Sequence, residues 1–95
     1  MSTQRRTLQE ATTTLATADV IAAAVEFFSH RVSIYSAFVE HQGPAFVTLR
    51  GQGGEEIAIA AAEAPNGTKV TAATYMFDAQ VSRFLATLPP VAEVA

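Results

Sequence analysis

Apolar residues recur with a period of two over much of this chain, interrupted by three glycine-bearing turns, and this pattern most constrains its fold. After Arg31, Ile34, Ser36 and Phe38 fall on one side of an extended backbone and Tyr35, Ala37 and Val39 on the other. Gln42-Gly43-Pro44 supplies a turn, and residues 45–50 form a second strand that Gly51-Gln52-Gly53-Gly54 breaks. Residues 55–63 set Ile57, Ile59 and Ala61 against Glu56, Ala58, Ala60 and Ala62, before Pro65-Asn66-Gly67 turns into a strand over residues 68–77. Connections this short join neighbours antiparallel, so the pattern predicts a four-stranded meander.

The flanks add helices. Thr17 offers an N-cap oxygen with Asp19 in the first turn, and Ile21, Ala24, Val25, Phe28 and Val32 make an apolar stripe with spacings of three and four, ending the helix near Arg31. Asp78 offers an N-cap for a closing helix with Val81, Phe84, Leu85 and Leu88 on one side, stopped by Pro89-Pro90. Residues 7–15, rich in threonine and weakly alternating, suit a strand, with helix left open. The expected fold is α+β: an antiparallel sheet, the meander plus an N-terminal strand, packed by two helices on one face. It forms one domain over residues 7–88, between a mobile stretch at 1–6 and a loose tail at 89–95.

Composition narrows the functions. Of 95 residues none is cysteine, which excludes disulfides, thiolate metal sites and cysteine nucleophiles. The net charge is −3, and Arg31, Arg50, Arg83 and Lys69 are scattered, so neither nucleic acid nor an anionic membrane is an expected partner. The twin arginines Arg5-Arg6 precede polar residues, which is no export signal. The longest apolar runs, 20–25 and 57–62, are far shorter than the roughly 20 residues of a membrane span. A cytoplasmic location is expected.

No motif carries chemistry. Glu26 and His30 are four apart and could offer two metal positions, but no third ligand follows at a recognisable spacing, and a histidine near a helix C-terminus is explained by the dipole. His41 reads as a solvated residue at the turn beside Glu40. A strand follows Gly51-Gln52-Gly53-Gly54, where a phosphate-cradling loop needs a helix. Glu55 and Glu56 are adjacent and point to opposite sides of a strand. Ser29, Ser33, Ser36 and Ser82 lack an elbow or a base, and Thr12-Thr13-Thr14 is explained by β propensity. No catalytic, cofactor-binding or metal-binding residues are predicted.

One feature exceeds core packing. Tyr35, Ala37 and Val39 oppose Ile34 and Phe38, and Val70, Ala72 and Met76 oppose Ala73, Tyr75 and Phe77, yet both sets are largely apolar. Two helices cover one face, so the other is expected to meet something besides bulk water. The candidate interface or pocket residues are Tyr35, Ala37, Phe38, Val39, Ala58, Ala60, Tyr75 and Phe77.

A first strand leading into Thr17-Ala18-Asp19-Val20, then Gly67-Thr68-Lys69-Val70-Thr71 entering a late strand, then the closing helix with Val81, Phe84, Leu85 and Leu88, resembles the helix-grip domains that include START-like proteins and polyketide cyclases. That resemblance implies a curved antiparallel sheet around a C-terminal helix, often with an apolar ligand between them, and carries no catalytic residue with it. This chain is markedly shorter, and its closing helix has only about three turns. The expected function is a non-enzymatic interaction module whose apolar sheet face binds a second copy, as a homodimer, or another protein. The alternative is a binder of a small apolar ligand, with Phe38, Tyr35 and Tyr75 lining a pocket. A cyclase- or isomerase-like enzyme would have to draw on Glu40, His41 or Asp78.

Overall fold

The computed structural model describes residues 7–31, 37–51, 56–75 and 77–91, with the backbone alone for Thr7, His30, Arg31 and Tyr75. Expectations for residues 1–6, for Val32 to Ser36 including Tyr35, for the Gln52-Gly53-Gly54-Glu55 stretch, for Met76 and for residues 92–95 lie outside the described residues.

Five strands, β1 (Thr7–Thr13), β2 (Ala37–Gln42), β3 (Phe46–Gly51), β4 (Glu56–Ala64) and β5 (Gly67–Tyr75), and two helices, α1 (Thr17–Glu26) and α2 (Asp78–Thr87), make an α+β fold. The strands form one open antiparallel sheet in the order β1-β5-β4-β3-β2. Residues 7–15, ambiguous in sequence, are thus a strand over Thr7–Thr13, paired along its whole length with β5.

The cross-strand register explains which side chains are inside. Ala72 of β5, Ile59 of β4 and Val47 of β3 align across the sheet, as do Thr74, Ile57 and Leu49, and all six are buried. Their neighbours along each strand face the other way, as period-two geometry requires. Both helices bury their stripes on this inner face.

The N-cap of α1 lies one residue before the expected one, and the helix begins at Thr17. Ala16 occupies the N-cap position in an extended conformation and no side chain caps it, while Val20 N–H donates to the Ala16 carbonyl at 3.0 Å. Four alanines favour the helix here, and Asp19 sits in the first turn where the dipole favours it. A π-helical turn, Phe27–Arg31, continues it. The buried stripe is wider than predicted, adding Val20 and Phe27 to Ile21, Ala24 and Phe28.

Phe77, expected at the end of a strand, instead follows it as the N-cap residue of α2 and is buried; Asp78, the expected cap, is the first helical residue. Val81, Phe84 and Leu88 are buried, and the rings of Phe27, Phe28 and Phe84 meet at centroid distances of 5.0 to 5.6 Å, bridging the two helical segments. α2 stops where Leu88 is extended, the conformation that a following proline imposes.

Pro89 and Pro90, expected to open a loose tail, lie along β1. Thr13 Oγ1 donates to the Pro89 carbonyl at 2.6 Å, Thr14 N–H donates to the same oxygen at 3.3 Å, and Pro90 forms an antiparallel bridge with Thr13. Thr13 is fully buried and its hydroxyl also accepts Leu15 N–H. Nearby, Thr68 Oγ1 donates to the Leu15 carbonyl at 2.6 Å.

Candidate functional site

Alternation leaves the outer side chains of the sheet uncovered. Four levels run across it, set by the pairings. Arg50 stands between Phe38 and Glu56; Leu8, Ala73, Ala58, Thr48 and His41 form the next row; Glu10, Thr71, Ala60 and Phe46 the third; Thr12, Lys69 and Ala62 the last. The floor is small and smooth, built of alanine and threonine. Large apolar side chains stand at its margins: Leu8 is 62% exposed, Phe38 55% and Phe46 44%. Phe46 is held at the β2–β3 turn, where its ring fills the space a side chain at Gly43 would need.

The polar groups at the rim are paired. Arg50 Nε and Nη2 donate to the two carboxylate oxygens of Glu40 at 3.1 and 3.0 Å, and this bidentate contact holds the Glu40 carboxyl below its ordinary range. Lys69 Nζ stands 3.6 Å from a carboxylate oxygen of Glu10 near the far corner. Thr48 Oγ1 donates to the His41 carbonyl.

Of the sequence-derived candidates, the structure brings Phe38, Ala58 and Ala60 together on the outer face, with Ala60 exposed and Ala58 half-buried. Tyr75 ends β5 opposite Glu56, at the same level as Arg50. Three candidates belong elsewhere. Ala37, opposite Gly51, is 5% exposed and lies in the core under the helices. Val39, opposite Leu49, belongs to that same inner side and is 36% exposed because β2 is the edge strand. Phe77 is 4% exposed in the core, since the strand has ended before it. Leu8 was missed, although it shares parity with the polar Glu10 and Thr12, the pattern of an outward leucine.

The acid–base supply is dispersed. Glu40 and His41 are exposed on β2, at one edge; His41 is a strand residue, not a turn residue. Asp78 is exposed at the start of α2, where its carbonyl accepts from Gln9 Nε2 of β1, at the opposite edge. Among the described residues, no three of histidine, aspartate and glutamate gather to hold a metal ion, and no helix is long and apolar enough to cross a membrane.

Fold and face together define a two-layer α+β domain with one side of its sheet packed by helices and the other, among the described residues, left uncovered. No protein-family model, curated protein or solved structure matches this chain.

Proposed function

We propose that this protein is a non-enzymatic association module whose outer sheet face is its contact surface for another protein chain. The observation that carries it is the grouping of Leu8, Phe38 and Phe46, each about half exposed or more, around an alanine and threonine floor on one face. Scattered exposed apolar residues are ordinary, whereas several framing one continuous face mark a site of contact. Filling of the space between sheet and helices by Phe27, Phe28 and Phe84 favours this reading over a ligand pocket there. The strand order, with β1 beside β5 and α2 packed near both, is compatible with a helix-grip relationship in which that inner space has closed.

Native mass spectrometry of the wild-type protein and of Ala60→Glu tests the reading. Ala60 is exposed at the middle of the face, so a charge there disturbs contact without entering the core. A protein assembly present in wild type and lost in the variant is expected. A bare monomer, a monomer carrying a small molecule, or an assembly indifferent to Ala60→Glu overturns it.

A further inference from the structure

We infer that the partner on the outer face is a second copy of this chain, packed face to face about a two-fold axis that runs along β4. This rests on the association reading above and adds to it the identity of the partner and the geometry.

Size comes first. Five strands about 4.8 Å apart, with six to nine residues rising about 3.3 Å each, present a face of roughly 24 by 25 Å, or about 600 Å². Two such faces in contact bury roughly 1,200 Å², above the approximate 1,000 Å² that separates a stable interface from a chance one. A single helix about 10 Å wide covers only some two strands of it. A surface this broad and flat is matched by another sheet, and this chain carries one.

The edges argue against joining sheets side by side. β2 carries an irregularity between Val39 and His41 together with the Glu40–Arg50 pair, and the end of β1 is occupied by Pro90 at Thr13. Bulges, edge charges and prolines all obstruct a strand that would add there. On the outer face the middle is alanine and threonine, with Arg50, Glu56, Glu10 and Lys69 set around it.

Relief then chooses the axis. The bulky Phe38 and Phe46 stand on the β2–β3 half, while β5 is a trough of Ala73 and Thr71 with Leu8 standing beyond it on β1. A two-fold along β4 lays the β2–β3 half of each copy over the β5–β1 half of the other, ridge into trough, twice. A two-fold across the strands instead stacks β3 on β3 and ridge on ridge. Rotation along β4 keeps every residue at its level, which places the two Glu56 residues near the axis between the two Arg50 residues, while Lys69 stays towards the other end.

The chain has no cysteine, so single substitutions report cleanly. Ala60→Cys lies close to the axis and is expected to link to itself through a short bismaleimide. Phe46→Cys is expected to link to Thr71→Cys in a mixture of the two variants and only weakly to itself. Sedimentation of the unlinked wild type should give a dimer. Efficient self-linking of Phe46→Cys with no mixed product overturns the axis. A wild-type monomer, or a complex with a different protein that Ala60→Glu abolishes, overturns the second copy while the latter leaves the association reading standing. A wild-type dimer that survives Ala60→Glu overturns both.

Discussion

Gly67 shows how one atom can hold a turn. Its φ is +154°, and a Cβ there would lie 2.5 Å from the Thr13 carbonyl oxygen and 3.0 Å from Val91 Cγ2. Backbone oxygen cannot yield cheaply, so Gly67→Ala is expected to lower stability by about 1–3 kcal/mol, read from a urea midpoint. At the other edge, Glu40 offers a pH prediction. Hydrogen bonds from Arg50 lower its carboxyl, so the folded state binds that proton less readily than the unfolded chain. The resulting stabilisation is present above the ordinary glutamate value and fades as pH falls through the lowered one. In an NMR titration Arg50→Met should raise the pH at which the Glu40 carboxyl titrates. Single residues were also where sequence reading was least secure. Ala37 and Phe38 were both apolar, so parity separated them without saying which side the helices take, and only the placement of Ala37 beneath them decides it.

Elements show where alternation is a dependable guide and where it fails. On β4, Ile57, Ile59 and Ala61 are inside and Ala58, Ala60 and Ala62 are not, as their spacing required. Counting failed at Phe77 because a strand was carried two residues past its end; once the chain leaves the sheet, parity carries no information. The helical stripes were legible because three- and four-residue spacings suffice, but their caps were not: both Thr17 and Asp78 are first helical residues, one position past the N-caps Ala16 and Phe77. The contact joining the two helices was invisible in sequence, since no local pattern pairs Phe28 with Phe84. Phe84→Ala removes the ring that meets both Phe27 and Phe28, and should cost about 3–5 kcal/mol in a denaturant titration, with loss of near-ultraviolet circular dichroism.

At the scale of the whole molecule, the fold class was readable, because three turns and two helical stripes left few topologies open. The composition of the outer sheet face was only partly readable, since membership depends on a register that pairs residues far apart, such as Leu8 with Ala73. The same remoteness bears on how the chain reaches its native state. β1 is held between β5 and the prolines after α2, and Thr13 meets Pro89 across 76 residues of sequence. Closing so wide a loop forfeits chain entropy before any contact compensates, so the meander and its helices are expected to assemble first and β1 to dock after the main barrier. Thr13→Val, which keeps the volume and removes the hydroxyl, should therefore speed unfolding several-fold in a stopped-flow chevron while leaving the refolding rate nearly unchanged. On this expectation the first strand in sequence is, in time, a late arrival.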